Sequence, residues 1–143
     1  PGISKICMQI FRKAMPDFDL DPDADWDCSA KAQKYLPGDY MDWHRDNTNT
    51  ELVGKVPNFI GRQKGHTPLV DKRVLTFSIP LNDDYDGGDF VLREDSGLVK
   101  HNSMYSAIVF PSTSPHSVEE VKTGTRYTLN GWLYAVKDVN GRQ

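Results

Sequence analysis

Apolar side chains recur along residues 3–15 at Ile3, Ile6, Cys7, Ile10, Phe11, Ala14 and Met15. Steps of three and four place them on one side of a helix. Pro16 ends it, because an interior proline removes a backbone bond and clashes with the preceding turn. Further on, the period drops to two. It predicts strands over 29–36, 39–45, 73–81, 89–93, 105–111, 115–121 and 126–135. Turn signals separate several of them: Pro37-Gly38, Asp86-Gly87-Gly88, the run from Pro111 to Pro115, and Gly124. One leading helix and many short strands predict a mainly β fold (all-β to α+β), a sandwich or jelly roll with the N-terminal helix packed on one sheet.

Two of these strands have unlike faces, since successive side chains point to opposite sides. In 73–81 one face carries Leu75, Phe77, Ile79 and Leu81, and the other Val74, Thr76, Ser78 and Pro80. In 126–135 one face carries Tyr127, Leu129, Gly131 and Leu133, and the other Arg126, Thr128, Asn130, Trp132 and Tyr134. The apolar faces suit packing against a helix or a second sheet. The polar faces meet solvent by default in antiparallel sheets. A cavity lined by Arg, Thr, Asn and Trp is the other reading, and Trp132 favours it.

Residues 47–72 interrupt the strands with a long polar stretch rich in Asn, Thr, Gly and Lys. A stretch of that length without a pattern is either disordered or a functional lid, and a lid over an active site is the expectation here. No linker or repeat divides the chain, so 1–143 is expected to be a single domain. Two calcium-loop patterns fail. The alternating Asp17, Asp19, Asp21, Asp23, Asp25 and Asp27 lack the required Gly and Glu, and the run from Asn82 to Gly87 has Arg93 where Glu is needed.

Composition narrows the classes. The net charge of −3 gives no global field for nucleic acid or an anionic membrane. No run approaches membrane-spanning length and no signal peptide is visible, so a cytoplasmic location is expected. Pro1 stands where an initiator Met would, which leaves that expectation weakly founded. Cys7 and Cys28 form no close-spaced motif and read as two reduced thiols.

The chemistry rests on three places. His44 and Asp46 are two apart on a strand, so both can face one metal ion. Alone the pair is weak, since chance yields about 0.45 His-x-Asp triplets in a chain of this composition, and a surface ion pair fits as well. His116 follows the apolar run Ala107 to Pro111. A lone His at a strand start is most often a surface residue. Its value is partnership: two imidazoles and one carboxylate form the facial set of non-haem Fe(II) sites, which leaves positions open for co-substrate and oxygen. Zinc is a rival for the same ligands. Arg126 comes ten residues after His116. It reads either as an exposed strand-end cation or as a two-pronged clamp for a carboxylate. Of the remaining histidines, His66 falls in the lid stretch and His101 in a connection, and neither is assigned to the site.

The stretch Tyr35-Leu-Pro-Gly-Asp-Tyr-Met-Asp-Trp-His44-Arg-Asp46 resembles the Tyr-x-x-Gly…His-x-Asp segment of the prolyl 4-hydroxylase-like superfamily of Fe(II)/2-oxoglutarate-dependent dioxygenases. Residues 73–90, a strand running into Leu81-Asn82 and then Gly87-Gly88, resemble the family's next segment. His116-Ser-Val118, Gly-Thr-Arg126-Tyr and Trp132 resemble its closing one. Together the motifs cover roughly residues 29–135, and their order is more specific than any one of them. The resemblance implies a distorted double-stranded β-helix and a hydroxylase of unactivated C–H bonds, with a prolyl residue in a peptide, protein or free amino acid as substrate. It implies Fe(II) on His44, Asp46 and His116, and 2-oxoglutarate held by Arg126. Tyr35, Val118, Phe90, Thr128 and Trp132 fall on the co-substrate pocket. O2 is the second co-substrate, and ascorbate an accessory reductant. Pro80 stands where some relatives carry a Tyr beside the Arg, so Thr76, Ser78 or Thr128 is left to supply that hydrogen bond.

Other classes fit less well. A jelly-roll binding module has no need of a metal set and a clamp together. Cupin-type metal proteins carry His-x-His, which this chain lacks. A nucleic-acid demethylase uses the same iron chemistry but wants a basic, aromatic-lined groove. Lys55, Arg62, Lys64, Lys72 and Arg73 keep that alternative open, with the overall charge against it.

Overall fold

The computed structural model describes residues 2–48 and 72–135. Helix α1 spans Gly2–Ala14, and Pro16 lies in the first turn of a 3-10 helix over Met15–Phe18. The strands are β1 Trp26–Tyr35, β2 Met41–His44, β3 Arg73–Pro80, β4 Asp86–Gly87, β5 Phe90–Glu94, β6 Gly97–His101, β7 Ile108–Pro111, β8 His116–Val118, β9 Val121–Thr123 and β10 Arg126–Ala135. Eight of them make two four-stranded antiparallel sheets. The major sheet has the order β1-β10-β3-β7 and the minor sheet β2-β8-β5-β6, with β4-β9 as a small third ribbon. This is the expected distorted jelly roll.

Alternation along β3 and β10 decides which way everything faces. Leu75, Phe77 and Leu133 point outward from the barrel and pack under α1 with Cys7, Phe11 and Met15. The Phe11 and Phe77 ring centres are 5.1 Å apart. Burying one Phe or Met side chain is worth roughly 1.5–3 kcal/mol, so three residues four apart suffice to dock the helix. The buried stripe is narrower than the apolar pattern. Ile3 and Ile6 are 58% and 51% exposed, which places the first turn beyond the cover of the sheet.

The inward faces form a second cluster of Tyr35, Phe90, Leu92, Phe110, Val118 and Val121. Tyr35, Phe90, Phe110 and Val118 of this cluster share a cavity with polar side chains of β3 and β10. Residues 115–121 divide into β8 and β9 instead of forming one strand, because Glu119 turns its N–H to Asp89 O and starts a new pairing. At the Asp86-Gly87-Gly88 turn, Gly87 has φ 73° and a Cβ there would strike Glu120 O. The expected lid stretch lies, apart from its ends, outside the described residues, as does His66.

Candidate functional site

β2 and β8 are neighbours, with His44 and His116 as register partners. Their ring centres are 4.2 Å apart. Each ring is held the same way: His44 Nδ1 bonds Asp42 O at 2.8 Å and His116 Nδ1 bonds Ser114 O at 2.9 Å. A carbonyl only accepts, so Nδ1 carries a proton in both rings, and Nε2 is the nitrogen that can give up its own proton to ligate. Asp46 follows β2, and its backbone is clasped by Ser112, whose carbonyl accepts from both Asp46 N and Asn47 N at 2.9 Å. The carboxylate therefore stands between the rings, with Oδ1 3.4 Å from His44 Nε2 and Oδ2 3.5 Å from His116 Nε2. The three donor atoms lie within 4.8 Å of one another.

Two further donors meet the same carboxylate. Thr76 Oγ1 donates to Asp46 Oδ2 at 2.9 Å and Trp132 Nε1 at 3.2 Å. Burial alone would push the Asp46 carboxyl up. When both Nε2 atoms are also protonated, hydrogen bonds from His116, His44 and Thr76, together with the charge of His116, outweigh it and hold the carboxyl well below its ordinary range. In return Asp46 holds the His44 imidazole above its ordinary value, against the opposing effect of its own burial.

The set opens into a cavity of about 420 Å³, part of it open to solvent, lined among others by Tyr35, Phe90, Val118, Arg126, Asn130 and Trp132. Arg126 is 1% exposed, and none of its three guanidinium nitrogens has a hydrogen-bond partner. The Tyr35 ring lies against it, its centre 5.1 Å from the guanidinium carbon. Burial raises the Tyr35 hydroxyl, with Arg126 opposing it.

Of the residues expected at the site, His44, Asp46, His116, Arg126, Tyr35, Val118, Phe90 and Trp132 are brought together around this cavity. Thr128 is buried beside it and does not line it. Its hydroxyl donates to Ile79 O at 3.0 Å and sits 3.3 Å from Ser78 Oγ. His101 bonds Ser106 O at 2.7 Å, away from the cavity. Sequence reasoning missed Gln33, Met41 and Phe110 in the lining, and Ser112 behind it. Phe110 could have been found by alternation along its strand; Ser112 sits in a turn that carries no periodic signal.

A metal-ligating trio and a buried, unsatisfied arginine inside a jelly roll define a class, and comparison with known proteins agrees with it. The chain belongs to the 2OG-Fe(II) oxygenase superfamily, whose family model matches residues 30–134. It is 35% identical over 105 residues to a PKHD-type hydroxylase of Pseudomonas paraeruginosa, covering 71% of this chain and 41% of that protein. The chain thus spans less than half the length of such curated relatives. Among solved structures it resembles the viral collagen prolyl hydroxylase of Paramecium Bursaria Chlorella virus-1, with a TM-score of 0.61 at 17% identity over 96% of this chain and 76% of that one. It also resembles a Pseudomonas putida prolyl-4-hydroxylase, with a TM-score of 0.51 at 22% identity over 79% and 54%. Both likenesses speak to the fold.

Proposed function

We propose that this chain carries the catalytic centre of an Fe(II)- and 2-oxoglutarate-dependent dioxygenase that hydroxylates an unactivated C–H bond, with a prolyl residue, peptidyl or free, as substrate. The observation that carries the reading is Arg126. A buried guanidinium with no partner is costly, and this one shares a cavity with two imidazoles and a carboxylate. A ligand that chelates metal at one end and offers a carboxylate at the other satisfies both. 2-Oxoglutarate has that form. The donor set fits Fe(II), since two nitrogens and one oxygen on one side leave the opposite side open.

In this reading His44 and His116 ligate through Nε2, each ring oriented by its Nδ1–H bond to a backbone carbonyl. Asp46 supplies the third ligand. Arg126 clamps the distal carboxylate, and Ser78, which lines the cavity and otherwise donates to Thr128 at 3.3 Å, is the hydroxyl that can turn toward it, since Thr76 is committed to Asp46 and Thr128 to Ile79. Tyr35, Phe90, Val118 and Trp132 wall the pocket and keep water from it. Bound there, iron and 2-oxoglutarate supply the oxidising chemistry, in which O2 is consumed, the oxo acid becomes succinate and CO2, and a substrate C–H becomes C–OH. A reductant of the ascorbate type keeps the iron ferrous.

The prolyl assignment is supported by the hydroxylase names of the relatives and by the prolyl-hydroxylase neighbours in fold. The helix and the two sheets are read as one domain. No helix among the described residues is long and apolar enough to cross a membrane. The test is an anaerobic titration with Fe(II) and then 2-oxoglutarate. A weak visible charge-transfer band is expected when both are present. Its absence from folded protein removes the reading.

A further inference from the structure

Asp46 is loaded with donors on one oxygen, and the cause lies one layer behind it. Oδ2 accepts both the Thr76 hydroxyl and the Trp132 indole N–H. A carboxylate only accepts, and Thr76 has a single hydroxyl proton, so that proton is spent on Asp46. The 2.9 Å contact between Thr76 Oγ1 and Ser112 Oγ therefore runs one way, with Ser112 as donor. Both residues are buried, Ser112 at 0% and Thr76 at 3% exposure. Ser112 is itself fixed, its N–H on Val74 O and its carbonyl under Asp46 N and Asn47 N. One residue thus anchors the Asp46 backbone and also directs the proton that meets its side chain.

We propose that Thr76, oriented by Ser112, is a positioning residue that occupies Asp46 Oδ2 and so presents Oδ1 alone to the metal. The proposal rests on the reading of His44, Asp46 and His116 as a metal set. Its consequence is a matter of counting positions. A facial set on an octahedral ion leaves three places, two for a chelating oxo acid and one for O2. A carboxylate that swung to two-oxygen coordination would take one of the three. Hydrogen bonding of the second oxygen keeps that place open.

Anaerobic Co(II) binding tests this, read by affinity and by the visible spectrum, which reports coordination number. Thr76→Val keeps the shape and removes the hydroxyl. It is expected to weaken Co(II) binding about tenfold or more, in the usual range for losing an outer partner of a metal ligand, and to shift the spectrum toward a higher-coordinate form. Thr76→Ser should return both to near wild type. Ser112→Ala should move the spectrum in the same direction by less, and the double variant should be no worse than Thr76→Val alone, because the relay passes through Thr76. Wild-type affinity and spectrum in folded Thr76→Val overturn the proposal, as does failure of Ser to rescue, or strict additivity of the two losses. If Thr76→Val does not fold, an unchanged spectrum in Ser112→Ala overturns it. A wild-type protein that binds no Co(II) instead removes the metal-set reading on which the proposal stands.

Discussion

Arg126 and Tyr35 are register partners on β10 and β1, and the Arg126 guanidinium carbon lies 5.1 Å from the centre of the Tyr35 ring. A ring face attracts a cation but cannot replace the hydrogen bonds that five N–H groups lose on burial. The pair therefore leaves the cation half satisfied, and a ligand carboxylate completes it.

Arg126→Ala is expected to raise the 2-oxoglutarate requirement by about two orders of magnitude, since removing one member of a buried charge pair costs about 2–5 kcal/mol. Co(II) affinity should be nearly unchanged, because Arg126 touches no ligand of the trio. Lys should rescue only in part, lacking the planar fork. The ligand-free protein should move the other way: Arg126→Met removes an unpaired buried cation and should unfold at higher urea, by about 1–4 kcal/mol. Equal co-substrate requirements in wild type and Arg126→Ala would refute the clamp.

Metal removal should show in melting curves. Wild-type protein with Co(II) at a hundredfold excess over Kd gains about 2.7 kcal/mol over the protein in EDTA. His44→Ala and His116→Ala should both lose that increment. They should differ in EDTA. The His44 side chain is 35% exposed, so its loss leaves the metal-free melt close to wild type. The His116 ring is buried with centres 4.8 Å from Phe110 and 5.8 Å from Phe90, so His116→Ala should also destabilise the metal-free protein by about 2 kcal/mol or more.

These residues were visible in the sequence to unequal degrees. β10 was legible over its full length because its two faces differ so sharply in polarity. β6 was not, since Gly97–His101 is mostly exposed and its pairing is set by the turn into β5. His44, Asp46, His116 and Arg126 were legible because four weak signals share one chemistry and one order. Gln33 and Ser112 were not. Gln33 acts only because register brings β1 beside β10, and Ser112 only because its turn folds back under Asp46. Such roles are properties of pairing, which local pattern does not encode.

Gly131 is the cross-strand partner of Phe77, and a Cβ at that position would run into the Phe77 ring. Phe77 has no room to yield, being fully buried and packed on Phe11. Gly131→Ala should lose roughly 1–3 kcal/mol in urea unfolding, the usual cost of overpacking. Phe77→Leu in the same chain should recover part of the loss. Full stability in the single variant would show that β10 can shift, and with it Asn130 and Trp132 on either side.

Gln33 offers a test that separates fold from co-substrate binding. Its Oε1 accepts from Asn130 Nδ2 at 2.7 Å and from the Tyr35 hydroxyl at 3.3 Å, and all three side chains line the cavity that holds Arg126. Gln33→Leu strips an acceptor from two half-buried or buried donors, which costs about 1–3 kcal/mol for each group left unpaired. Stability should fall, while the charge around Arg126 stays the same. Gln33→Glu keeps both acceptors, so stability should hold. It also places a negative charge in the cavity that receives a dianion. The 2-oxoglutarate requirement should rise several-fold or more, and raising the salt should narrow the gap by screening the added charge. Urea melts and co-substrate titrations on the two variants therefore give opposite patterns. If Gln33→Glu binds 2-oxoglutarate as wild type does, Gln33 lies outside the electrostatic reach of the oxo acid, and the Asn130–Gln33–Tyr35 chain is a brace for the β1–β10 seam alone.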